Sequence, residues 1–148
     1  MTKILDLFSG SGGFSLGFEM GNLPVNSHVE IDPFACQTLA HNFPSSKIFC
    51  ADLMMLDIDS VAGKNDFDVI IGGPPCQGFS VAGSSQFGIQ DDRNKLVFWY
   101  LRYIERIRPK IAIIENVPGL LTKKSKDGET FLDIIKKIGF KIYSLGRQ

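Results

Sequence analysis

One thiol stands where an apolar run breaks. In DVIIGGPPCQGFS, Asp68 to Ser80, the run stops at two glycines and two prolines, and Cys76 follows at the mouth of the turn. The prolines stiffen that turn, which aims the side chain outward rather than into the run. A thiol so placed is either a nucleophile or a small hydrophobe filling a corner. Cys36, Cys50 and Cys76 are the only cysteines, an odd number with no Cys-x-x-Cys pair. That pattern suggests neither a disulfide framework nor a zinc site, and a reducing cytoplasm is the expectation.

Other candidates stand at the ends of other apolar runs. DLFSGSGG carries Gly10, Gly12 and Gly13, which permit a tight turn and close approach of backbone to a ligand. It is not the dinucleotide fingerprint, because Ser15 takes the last glycine position, and no Gly-Lys-Ser/Thr makes it a phosphate loop. The alternative is a glycine-rich turn without a ligand. Glu30, in VEID, falls about where nucleotide-binding folds place a carboxylate for ribose hydroxyls, or is a solvated strand end. Asp52, in CADL, either accepts from an adenine amine or serves as a cap or turn residue. Ile31 and Leu53 supply apolar cover for a ring. Glycine loop, acid and acid in succession suggest an adenosine-bearing cofactor. With no Lys or Arg near the glycines, that cofactor is expected to lack phosphates.

These residues need a scaffold that gathers strand ends. Strands are expected at KILDLF, VNSHVEID, KIFCAD, FDVIIGG, KIAIIEN and FKIYSL. Helices are expected near Phe14 to Met20, at PFACQTLAHNF with proline in the first turn, through Leu96, Tyr100, Tyr103, Ile104 and Ile107, and through Phe131, Ile134, Ile135 and Ile138. Alternation of the two predicts an α/β domain, its sheet mostly parallel and covered by helices on both faces. Ligands in such sheets bind beyond the carboxyl ends of the strands. The 148 residues suffice for one domain, and 44% hydrophobic with 22% charged residues is ordinary globular composition. No apolar run reaches membrane-spanning length, and glycine interrupts the short apolar start, so no secretory signal is expected. A net charge of +0 gives no hint of a nucleic-acid partner. Two connections, Pro74 to Lys95 and Val117 to Gly128, are long enough to suggest function.

GPPCQGFS and IENV, taken with DLFSGSGGFSLGF, resemble the DNA (cytosine-5)-methyltransferases, of the bacterial restriction-modification type. The resemblance runs over essentially all 148 residues, with the motifs in the family's order. It implies a Rossmann-like methyltransferase sheet, S-adenosyl-L-methionine as cofactor, and double-stranded DNA as substrate. It implies Cys76 as the nucleophile that adds to carbon-6 of a flipped cytosine, with Glu115 serving ring nitrogen 3 and the exocyclic amine. Phe8, Gly10, Gly13, Glu30, Ile31, Asp52, Leu53, Pro75 and Leu96 would form the cofactor pocket. Gln77, Ser80 and Arg93 would contact DNA or anchor the loop from Gln77 to Lys95, a lid. Asn116 receives no catalytic role.

The departure from the family lies after KIYSLGRQ. Full-length members continue with an arginine-bearing segment, a target-recognition region and a segment that completes the sheet. Residues 1–148 are therefore expected to be a catalytic, cofactor-binding domain incomplete at its C-terminus. A second polypeptide carrying the rest is one expected partner; neither membrane nor metal is expected. Two alternatives stand beside this reading: a relative that methylates tRNA, and a non-catalytic module that keeps the cofactor fold. PPCQGFS favours DNA over tRNA, and intact Cys76 and Glu115 disfavour the silent module.

Overall fold

The computed structural model describes residues 1–75, 93–115 and 130–141, with side chains from residue 96 onward in the second stretch. Ten elements alternate along it: β1 (Ile4–Leu7), α1 (Gly13–Met20), β2 (Ser27–Glu30), α2 (Pro33–Asn42), β3 (Lys47–Cys50), α3 (Ile58–Val61), β4 (Val69–Gly72), α4 (Arg93–Ile107), β5 (Ile111–Ile114) and α5 (Phe131–Lys137). The strands form one sheet in the order β3-β2-β1-β4-β5, and all four ladders are parallel. The chain winds outward from β1 to β3, then returns to the other side of β1 to lay down β4. Strand order thus reverses between β1 and β4, where parallel sheets open a crevice at their carboxyl edge.

Both faces are covered. Leu5, Leu7, Val29 and Ile70 point to one side, into a core completed by Val97, Tyr100, Leu101, Ile104 and Ile107 of α4 and by Phe131 ahead of Ile138. Those α4 positions recur at three and four residues, so one stripe is buried. Ile4, Val69 and Ile71 point to the other side, against Phe14 and Phe18 of α1. Each fully buried aliphatic side chain contributes about 1.5–3 kcal/mol. Tyr100 adds direction to this packing: its hydroxyl donates to the carbonyls of Ile113 (2.9 Å) and Ile70 (3.3 Å), pinning α4 across β4 and β5.

Helix starts follow local chemistry. Asp32 caps α2 by accepting from the Phe34 N–H at 2.8 Å, and Pro33 occupies the first turn. Thr130 and Asp133 form a reciprocal capping box at α5. Three expectations change. β1 ends at Leu7, because Phe8 turns into the left-handed region (φ 62) and cannot continue the ladder. The one-turn α3 was not expected; its four residues are too few to show periodicity. The expected last strand, FKIYSL, lies outside the described residues beyond Lys141, and Phe140 and Lys141 are not strand. Most of the two long connections also lies outside the described residues.

Candidate functional site: a cleft at the strand ends

A cleft of about 370 Å³ opens at the carboxyl edge of the sheet. Phe8 and Gly10 line it after β1, Val29 to Ile31 at the end of β2, and Ala51 to Met54 after β3. Gly73 and Pro75 line it after β4, and Leu96 from α4. Its size lies within the range of small-molecule sites.

The glycine loop is held from below. Asp6 is buried on β1, and its carbonyl accepts from Ser9 Oγ at 2.9 Å while its carboxyl accepts from Ser15 Oγ at 2.5 Å. The Gly12 N–H returns to the Ser9 carbonyl at 2.9 Å, and Gly12 itself has φ +91. Gly10 is left facing open space, with room for a ligand against its backbone. Its N–H donates to Glu30 Oε2 at 2.7 Å.

Glu30 organises the next wall. Its Oε1 accepts from the N–H groups of Ile31 (2.8 Å) and Asp32 (2.9 Å), which shapes the turn into α2. A carboxylate oxygen carries two lone pairs. Oε2, engaged by Gly10 alone among these contacts, therefore keeps one for a further donor. Ile31 is 62% exposed at the cleft, unusual for so apolar a side chain unless something covers it. Across from it, Asp52 Oδ1 accepts from the Met54 N–H at 2.8 Å, so Asp52 closes a turn as well as lining the cleft. Leu53 is buried beneath, with its carbonyl accepting from Tyr103 on α4 at 3.4 Å.

Glu115 follows β5 directly and donates its N–H to the Gly72 carbonyl at 3.0 Å. A Cβ on Gly73 would stand 3.5 Å from Glu115 Oε2, so this carboxylate lies beside the strand end from which Pro74 and Pro75 run towards Cys76. Cys76, Gln77 and Ser80 lie outside the described residues; Arg93 is the first residue of α4.

The structure gathers eight of the nine expected pocket residues around one cleft: Phe8, Gly10, Glu30, Ile31, Asp52, Leu53, Pro75 and Leu96. Gly13 is not among its lining; it is the first residue of α1. Val29, Ala51 and Met54 line the cleft without having been singled out, each a chain neighbour of a residue that was; Gly73, expected to leave room for a flat base, lines it too.

One polar cluster was missed altogether. His28 of β2 lies wholly buried beside Asp6, its Nδ1 3.4 Å from Ser15 Oγ and 4.0 Å from Asp6 Oδ2. Burial raises the Asp6 pKa to about 7 and lowers that of His28 to about 4. A neutral acid beside a neutral imidazole is the arrangement a dry site favours. With almost no exposure, these groups position the glycine loop and do not meet a ligand.

Comparison with known proteins agrees with this architecture. The family of C-5 cytosine-specific DNA methylases matches residues 2–145. The chain is 40% identical to the type II methyltransferase M1.HphI of Haemophilus parahaemolyticus, over 93% of this chain and 38% of that protein. It is 39% identical to M.DdeI of Desulfomicrobium norvegicum, over 95% of this chain and 34% of that one. Among solved structures, a candidate DNA modification methyltransferase encoded within an E. coli prophage superposes with TM-score 0.69 at 38% identity, covering 93% of this chain and 36% of its own. Dnmt2 of S. pombe, 21% identical, shares the fold with TM-score 0.66. The chain thus spans roughly a third of the length of these curated relatives. It belongs to the C-5 cytosine-specific DNA methylase family.

Proposed function

We propose that residues 1–148 carry the cofactor-binding and catalytic part of an enzyme that methylates carbon-5 of cytosine in double-stranded DNA. The observation that carries the reading is the cleft: two acids and two apolar side chains face a glycine loop, and Glu115 stands beside the strand end leading to Cys76. S-adenosyl-L-methionine, when bound, would supply a methyl group on a positively charged sulfur. The lining suits it. Glu30 Oε2 has acceptor capacity for a ribose hydroxyl, Asp52 has it for the adenine amine, and Ile31 and Leu53 flank a ring. Phe8 would pack on the adenosine and Leu96 would close the pocket. Among the described residues no Lys or Arg lines the cleft.

Carbon-5 of cytosine is a poor nucleophile. The Cys76 thiolate adds to carbon-6, forming a C–S bond and moving electron density onto carbon-5, the atom to be methylated. Glu115 hydrogen-bonds ring nitrogen 3 and the exocyclic amine, which makes carbon-6 more electrophilic. Once carbon-5 carries the methyl group, loss of its proton to a base expels the thiolate and restores the ring. The target base must first leave the duplex stack, at a cost of roughly a few kcal/mol. Gln77, Ser80 and Arg93 serve the DNA side, and a second polypeptide or further sequence supplies target recognition.

The test is product analysis. The chain, alone and mixed with the polypeptide matching the remainder of M1.HphI, is incubated with methyl-tritiated S-adenosylmethionine and duplex DNA. Label is expected in 5-methylcytosine from the mixture and not from the chain alone. Label in adenine or in N4-methylcytosine would contradict the reading.

A further inference from the structure

Behind the acid-bearing walls of the cleft lies a feature that the methylation chemistry does not use. Cys50 is the last residue of β3 and pairs in register with Glu30 of β2. Side chains alternate along a strand, and in-register parallel partners share a face. Cys50 therefore shares the face of Glu30, on which α2 packs against β2 and β3. Cys36, on the first turns of α2, is only 7% exposed, and its thiol donates to the Glu30 carbonyl at 3.4 Å. Both cysteines thus stand against Glu30, Cys50 through the strand register and Cys36 through its thiol. Cys50 is exposed.

We propose that Cys36 and Cys50 are an oxidation-sensitive pair that closes into a disulfide between α2 and the end of β3. The pair divides the work by exposure. A hydroperoxide meets Cys50 first: its sulfur takes one oxygen to become a sulfenic acid, and the peroxide leaves as an alcohol or as water. The Cys36 sulfur then attacks the Cys50 sulfur. The S–S bond forms, the S–O bond breaks, and water departs with the Cys36 proton. Burial keeps external oxidant away from Cys36, while Cys50 is open to it. In a reducing compartment both thiols stay free. Under oxidation the bridge ties the segment from Glu30 to Cys36 to the residue just before Ala51, Asp52 and Leu53, and two cleft walls become one covalent unit.

The experiment is oxidation of the reduced, folded chain with hydrogen peroxide, alkylation of remaining thiols, digestion and mass spectrometry. A Cys36–Cys50 linked peptide pair is expected, lighter by two hydrogens. It should form roughly tenfold faster than any link to Cys76, and that advantage should vanish in urea. In Cys50→Ala, changed at an exposed position, Cys36 should remain alkylatable after peroxide. The proposal is overturned by Cys50 ending as a sulfinic acid with Cys36 free, by Cys50–Cys76 or interchain Cys50–Cys50 links instead, or by an equal rate in urea.

Discussion

Glu30 spends two kinds of acceptor capacity. Three backbone N–H groups fix the glycine loop and the turn into α2 to its carboxylate, which keeps acceptor capacity at a residue lining the cleft. Hydrogen bonds to charged groups are worth about 1.5–3 kcal/mol each. Glu30→Ala should therefore weaken binding of S-adenosylhomocysteine by at least roughly tenfold in calorimetry, and unchanged affinity would make Glu30 a turn former only. Asp6 and His28 act through protonation instead. Between its ordinary value of 3.8 and its folded value of about 7, Asp6 keeps in the fold a proton that the unfolded chain has lost. Its contribution to stability falls as pH rises through that window. His28 runs oppositely: between about 4 and 6.5 the unfolded chain takes a proton that the buried imidazole refuses, so stability rises with pH there. Asp6→Asn removes the falling limb alone. Measured by urea unfolding, the variant should gain on the parent between pH 4 and pH 8, by on the order of 1–4 kcal/mol; parallel pH profiles would contradict the assignment.

Among the elements, the turn from β1 into α1 is the most demanding. Gly12 has φ +91, and a Cβ there would come within 2.4 Å of the Phe43 ring edge and 3.0 Å of Leu39. Gly12→Ala combines backbone strain with overpacking and should cost about 1–3 kcal/mol. The expected result is a lower denaturant midpoint with an unchanged slope. That turn was legible in DLFSGSGG, because glycines spaced so closely after an apolar run have few other uses. The strand centres were legible too, as apolar runs bounded by Gly, Pro or Asp. Gly13 begins α1, and nothing in the spacing says which glycine lines the cleft and which begins the helix. The Asp6–Ser15–His28 cluster was illegible because it exists only after β1 and β2 pair in register, Asp6 opposite His28, and α1 folds Ser15 over them. The Cys36–Cys50 pair was hidden likewise, since its proximity follows from α2 packing on β3.

At the scale of the molecule, parallel strands in the order β3-β2-β1-β4-β5 bring all their carboxyl ends to one edge. Residues as distant as Gly10, Glu30, Asp52 and Pro75 then line one cleft, and Glu115 comes beside Gly73. The sequence's alternating pattern was enough to expect such a sheet. It did not distinguish the strand order, which rests on how far each crossover carries the chain. It also left the outer face of β5 undecided, where Ile111 and Ile113 are exposed. The proposed function requires Cys76 to add to cytosine carbon-6. A duplex carrying 5-fluorocytosine tests it most directly, because fluorine at carbon-5 blocks the proton loss that releases the thiolate. The duplex is presented with S-adenosylmethionine to the chain mixed with the polypeptide matching the remainder of M1.HphI, and the trapped adduct is mapped by mass spectrometry. One covalent adduct is expected, on Cys76, absent from Cys76→Ser; an adduct on Cys36 or Cys50, or methylation of cytosine that proceeds without any trap, would contradict that role for Cys76.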